Sequence, residues 1–196
     1  MGKVTFSPIK TEVKGLVRSI ETKHSSNIDA FETVTNILRD EIFAKTASRP
    51  NSATSAFKWL VRHWMFLHYF LHIFVESQKP TKDCLKEAYE NSLLKYHDQV
   101  IQSVFAVSII KVIFCKISLD KSYYILIFQI YLYFSFQVAI QSAPSRYEFI
   151  QAFRITTDFE QNFKLKVVPK LAEYLESLDC CLTALKSILE KVESKK

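Results

Sequence analysis

The hydrophobic pattern of this chain centres on residues 52–74, SATSAFKWLVRHWMFLHYFLHIF. Trp59, Arg62, Phe66, Phe70 and Ile73 recur at three- and four-residue spacing and so share one helical stripe. Leu60, Trp64, Leu67 and Leu71 form an opposite stripe that is also apolar. A helix apolar on both sides is expected to be buried on both sides, between other helices or between a helix layer and an apolar ligand.

Similar spacing predicts helices before and after it. Ser7 and Pro8 mark a helix start, a capping hydroxyl followed by the residue best tolerated at the first helical position. Ile9, Val13, Leu16 and Ile20 make its buried stripe, with Glu12 and Ser19 beside it and Arg18 further round. A second helix is expected over 27–44, carried by Ile28, Phe31, Val34, Leu38 and Ile42. Loops follow at 46–51, with Pro50, and at 77–82, with Pro80. From Asp83 the apolar positions Leu85, Ala88, Tyr89, Leu93, Tyr96, Val100, Ile101, Val104 and Phe105 predict another helix, with His97 on or beside its apolar face. Pro144 and Ser145 mark a turn before a short helix at 146–153. The pattern over 157–192 is again helical, with a break or kink at Pro169. The expected fold is all-α.

Residues 107–137, VSIIKVIFCKISLDKSYYILIFQIYLYFSFQ, break the helical pattern. The segment holds seven Ile, four Phe and four Tyr but no Ala, Gly, Pro, Arg or Glu. Residues 123–140 are eighteen in a row without a charge, the bare length of a membrane span. The same residues also read as a β-branched, aromatic strand prone to aggregation.

Length and composition narrow the class. At 196 residues the chain is one domain with room for a real core. Two Gly against sixteen Phe favour long helices around aromatic fill over a turn-rich sheet. A net charge of +6 without a basic run of five suits mild attraction to an anionic surface. Nucleic-acid binding would need clustered cations with exposed aromatics, whereas these aromatics lie in apolar stripes. Cys84, Cys115, Cys180 and Cys181 lack C-x-x-C spacing, and the adjacent pair would bridge only with strain, so reduced thiols in the cytosol are expected. MGKVTFSPIK has no apolar signal-peptide core. His68 and His72 stand at i, i+4, but Tyr69 replaces the Glu of an H-E-x-x-H metal site.

Four blocks carry a family resemblance: FSPIK with Glu12 and Gly15, SATSAFKWLVR at 52–62, AYENSLLKYH at 88–97 and AIQSAPSRYEF at 139–149. In order and spacing they resemble the glycolipid transfer protein family, the W-L-x-R and A-Y-x(6)-Y-H blocks being the most specific. The resemblance implies a two-layer all-α sandwich enclosing lipid chains, no enzymatic chemistry, no cofactor and no metal. It implies a sphingolipid ligand, transient contact with membrane surfaces, a monomer, and no nucleic-acid partner. Residue by residue, Trp59 is the platform for the first sugar ring, His97 the hydrogen-bond partner of the ceramide amide, and Glu12 stands where the family has Asp. Arg62 matches a family Arg near the headgroup. Phe6, Pro8, Ile9, Leu16, Phe66, Phe70 and Phe105 match lipid-chain cavity positions. An aromatic face suits a sugar's C–H face, and a carboxylate with an imidazole suits the polar groups at the edge of an apolar hole.

The chain departs from the family in several places. The sugar-binding branch has Asn at the position of Leu16 and Lys at that of Ser19, so Arg18 is expected to reach the headgroup instead. A membrane Trp of the family is Gln99 here, with Trp64 or Tyr147 as substitutes. The branch that moves ceramide-1-phosphate has basic residues at the positions of Leu16 and Trp59, which favours a neutral glycosphingolipid for this chain. The family has another helix before FSPIK, so the chain is expected to be short at its front.

In the family the His97 helix runs unbroken into the Ala-Pro turn. Removing the 31 residues 107–137 joins Phe105-Ala106 to Val138-Ala139 and restores that register. We read the segment as a translated, unspliced intron, since Val107 allows a GT start, Phe136-Gln137 a pyrimidine-rich CAG end, and the composition is that of AT-rich codons. Its removal would lower the net charge from +6 to +4, through three Lys and one Asp. The alternatives are a genuine insertion, such as a membrane anchor, and a degenerate family member without transfer activity; ceramide-1-phosphate transfer by the same fold is the alternative for the cargo.

Overall fold

A computed structural model describes residues 7–49, 51–96, 136–155 and 157–193. Among these the regular structure is entirely helical. In chain order the elements are α1 (Ser7–Ser26), α2 (Val34–Phe43), α3 (Ala53–Glu76), α4 (Thr81–Ser92), a 3₁₀ turn (Leu94–Tyr96), α5 (136–141), α6 (Arg146–Gln151), α7 (Phe159–Lys166) and α8 (Val168–Glu193).

The helix expected at the centre of the pattern is the hub of the fold, for α3 packs against α1, α2, α4 and α8. It begins where Ser52 stands at the N-cap, its hydroxyl accepting from the Ser55 amide at 3.1 Å. A second acceptor arrives from α2. The buried Glu41 carboxylate takes the Ala53 amide at 2.9 Å and the Thr54 amide and hydroxyl at 2.7 Å each. Negative charge at a helix N-terminus also meets the positive end of the helix dipole.

The two ends of α3 enter different parts of the core. Phe57 and Val61 pack with Leu38 of α2 and with Leu178 and Leu182 of α8. Phe70, Leu71 and Phe74 join the larger cluster with Leu85 and Ala88 of α4, Phe136 and Ile140 of α5, Ile150 of α6 and Phe163 of α7. Phenyl rings fill it, with Phe74 tilted against Phe149 at 4.6 Å and edge to face with Phe163 at 5.7 Å between centroids. Each such pair contributes about 0.5–1.5 kcal/mol beyond the area it buries. Arg146 closes the C-terminal end of α3. Its guanidinium donates to the Phe74 carbonyl at 3.1 Å and to Glu160 at 2.8 Å, and lies over the Phe74 ring.

Four expectations need correction. The helix expected over 27–44 starts only at Val34. Asn27 accepts from the Ala30 amide and Thr33 from the Asn36 amide, so short polar side chains satisfy the backbone locally and hold 27–33 in turns. Phe31 is buried all the same. The helix expected from Asp83 starts earlier, at Thr81 behind Pro80, and its α-helical part ends at Ser92. There the Ser92 hydroxyl donates back to the Ala88 carbonyl at 2.6 Å. The break expected at Pro169 is present but falls two residues earlier, at Val167 between α7 and α8, and Pro169 sits in the first turn of α8, where its missing N–H leaves no bond unmade. Finally, α3 is not covered on every side: Trp64 of the second apolar stripe is 36% exposed, and Tyr69, at the edge of the first, 38%.

Cys84 is buried, Cys180 and Cys181 are exposed, and all three are free thiols; Cys115 lies outside the described residues. No helix among the described residues is long and apolar enough to cross a membrane. Only the end of the 123–140 stretch, from Phe136, is described, and Phe136, Ala139 and Ile140 are core residues.

Candidate functional site

Where α1 crosses α3, a carboxylate and an imidazole are buried together. Glu12 is 8% exposed although it is charged and lies mid-helix, with Leu16 buried one turn further along the same face. Opposite it, α3 presents Trp59, Arg62 and His63. The His63 Nδ1 is 2.7 Å from the Trp59 carbonyl, and its Nε2 is 3.3 Å from Glu12 Oε1. That second contact is within ion-pair range, yet neither carboxylate oxygen nor Nε2 makes a well-directed hydrogen bond. A buried polar atom in that state costs about 1–3 kcal/mol, more when charged, so the pair is set to gain from a donor or acceptor brought by something else.

Aromatic rings surround the pair. Trp59 lies 6.3 Å and Phe136 5.8 Å from the His63 ring, and Phe136 in turn meets Phe66 at 5.2 Å and Tyr89 at 5.7 Å. The Arg62 guanidinium sits between two rings, 4.8 Å from the centre of Trp59 and 3.8 Å from that of Tyr96. The Trp59 ring is therefore engaged by a cation at the edge of the main apolar cluster.

Of the residues singled out in the sequence, Glu12, Trp59 and Arg62 come together here. Arg18 is exposed and, six residues on from Glu12, points about 120° away round α1. Leu16 and Phe70 are buried, while Ile9 and Phe66 are half-buried against the main cluster. Phe6, His97 and Phe105 lie outside the described residues, as does the side chain of Pro8 in the first turn of α1. Sequence reasoning missed His63, Tyr96 and Phe136. A signal for His63 did exist: it is the residue four after Trp59, a titratable group one turn along the stripe that carries the aromatic platform.

His68 and His72 face carboxylates, Asp179 at 3.9 Å and Glu76 at 3.1 Å. A cavity of about 450 Å³ among α6, α7 and α8 is lined by Phe153, Arg154, Lys166 and Lys170 with their neighbours. It holds no buried polar side chain among the described residues and shares no residue with the Glu12–His63 cluster.

The arrangement of helices is that of the GLTP fold. A solved structure of FAPP2, described as selecting simple glycosphingolipids using that fold, matches 98% of this chain and 78% of its own, with a TM-score of 0.69 and 24% identity. Mouse ceramide-1-phosphate transfer protein in its apo form matches 96% of the chain and 77% of its own, with a TM-score of 0.66 and 19% identity. The sequence goes further than the fold. The model of the glycolipid transfer protein family matches residues 1–112, more than half of the chain, and the chain belongs to that family. Among curated relatives, pleckstrin homology domain-containing family A member 8 of Homo sapiens is 32% identical over 109 residues, 56% of this chain and 21% of that protein. Glycolipid transfer protein of Danio rerio is 33% identical over 112 residues, 54% of each. The matched stretch thus spans about a fifth of the first and about half of the second.

Proposed function

We propose that this chain binds a sphingolipid and carries it between membranes without covalent chemistry, and that its cargo is a neutral glycosphingolipid. The observation that carries the reading is the cluster itself: an aromatic platform, Trp59, beside a buried carboxylate whose oxygens lack donors. A sugar offers a C–H face to the ring and hydroxyl donors to Glu12, whereas a phosphate brings further acceptors to a carboxylate. His97 is expected to complete the polar set. The acyl chains would lie among Ile9, Leu16, Phe66 and Phe70, with Phe6, Pro8 and Phe105 as further walls. Transfer of apolar surface from water gains about 25 cal/mol per Å². A lipid held this way leaves one bilayer only by giving up similar contacts, so exchange is close to thermoneutral. Arg18 is kept as an outer headgroup contact. Trp64 and Tyr147, 36% and 51% exposed, are suited to transient membrane contact by a cytosolic monomer.

The segment 107–137 is proposed to be absent from the working protein. Two observations support this. The family match stops at residue 112, a few residues into the segment. Removing 31 residues would also put Phe105 at the register position of Phe136, a phenyl for a phenyl in the main core. Sequencing the transcript across the codons for 105–144 tests it, and finding those 31 codons in mature message would refute the excision.

For function, the assay is movement of fluorescent galactosylceramide and of fluorescent ceramide-1-phosphate between vesicles, for the full chain and for the form lacking 107–137. Galactosylceramide transfer is expected, with its loss in Trp59→Ala. Movement of neither lipid by either form would sink the transfer reading.

A further inference from the structure

The polar atoms around His63 restrict what the site can hold, and this inference rests on the glycolipid reading above. The Trp59 carbonyl can only accept, so at 2.7 Å the His63 Nδ1 carries a hydrogen and donates it. The other ring nitrogen then faces Glu12 Oε1 at 3.3 Å in a buried site. Two bare lone pairs would repel there, so the pair holds one further proton between them. With that proton on the ring, Nε2 is a donor standing beside a carboxylate acceptor. The ring nitrogen and both carboxylate oxygens are without a hydrogen bond of proper direction. Glu12 and His63 are each more than nine-tenths buried.

A donor and an acceptor about 3 Å apart match one chemical group well. A hydroxyl accepts through a lone pair and donates through its hydrogen, and an oxygen can lie about 2.8 Å from both atoms at once. An amide N–H satisfies only the carboxylate. A phosphate oxygen satisfies only Nε2 and sets its charge against Glu12. We propose that His63 is a specificity-determining residue of the headgroup site, its Nε2 and the Glu12 carboxylate clasping one sugar hydroxyl of the bound lipid. Phe136 and Trp59 flank the imidazole.

The test uses the full chain, its tryptophan fluorescence titrated with galactosylceramide, ceramide and ceramide-1-phosphate, in the parent and in His63→Ala and His63→Gln. Losing a charge-assisted hydrogen bond is expected to weaken galactosylceramide binding about tenfold in His63→Ala. Ceramide-1-phosphate binding is expected to weaken less, because the bond its phosphate makes to Nε2 is already offset by repulsion from Glu12, so the preference between the two falls. Gln, which can still donate, is expected to recover part of it. Weakening confined to galactosylceramide assigns the hydroxyl to the sugar, as proposed; the sphingoid hydroxyl is common to all three lipids, so parallel weakening toward ceramide overturns the proposal. General loosening of the fold would lower all three affinities and leave their ratio unchanged, and a ratio within twofold of the parent overturns the proposal while the glycolipid reading stands. A parent chain that binds no galactosylceramide overturns both.

Discussion

Replacing Glu41 by Ala should strike the fold at the start of its central helix. The carboxylate accepts three bonds, from the Ala53 amide at 2.9 Å and from the amide and hydroxyl of Thr54 at 2.7 Å. The donors have no easy alternative, because Ala53 and Thr54 are 2% and 1% exposed and water cannot replace the lost oxygens. The Thr54 hydroxyl can rotate toward another acceptor, but the two backbone N–H groups cannot. Leaving a buried donor unmatched costs about 1–3 kcal/mol, so the pair sets the loss at about 3–5 kcal/mol. Removal of a desolvated charge offsets part of it, which is why the lower half of the range is the better expectation. A chain of this size shifts its midpoint by about 2–4 °C per kcal/mol, so the melting temperature should fall by about 6–20 °C. Glu41→Gln, which keeps one acceptor oxygen, should fall between the two. The check is thermal and denaturant unfolding followed by far-ultraviolet circular dichroism. A loss below about 1 kcal/mol in Glu41→Ala would mean that Ser52 caps α3 unaided and that the reasoning is wrong.

Other outcomes can be stated briefly. Phe136→Ala empties a position 2% exposed that touches His63, Phe66 and Tyr89, and should cost about 3–5 kcal/mol in the full chain. In the chain lacking 107–137, Phe105→Ala should show that loss instead; insensitivity there would contradict the register. Acid should weaken the fold in two steps. Burial lowers the pKa of His68 below its ordinary 6.5, so the unfolded chain takes up the proton first, and stability declines as pH falls from 6.5 toward the folded value. His68→Gln should flatten that upper limb of the melting profile. Bonds from the Ser145 backbone and then its hydroxyl lower the pKa of Glu148, so its contribution is present above about 4.5 and disappears at lower pH. A profile flat from pH 7 to 4 would contradict both.

Sequence and tertiary structure divide the account along a physical line. Residue spacing was enough to find α3, the Pro80 loop behind it and the stripe bearing Trp59 and Arg62, because helix periodicity acts over a few neighbours, whereas the Ser52 cap was seen only in the structure. Motif spacing was enough for the family, and the family supplied the fold. Local chemistry was misjudged where two local effects compete: Asn27 and Thr33 bond their own backbone and delay α2, although the apolar spacing of Ile28, Phe31 and Val34 suits a helix. Which stripe of α3 meets solvent was not legible, since Trp64 and Phe70 read alike until the positions of α1, α4 and α8 are known. Glu41 at the start of α3 and Glu12 beside His63 belong wholly to tertiary structure. A carboxylate's partner is set by distance in space, and these partners come from different helices, so the pairing of Glu41 with α3 and of Glu12 with His63 has no signature along the chain, although Glu12 itself was singled out there.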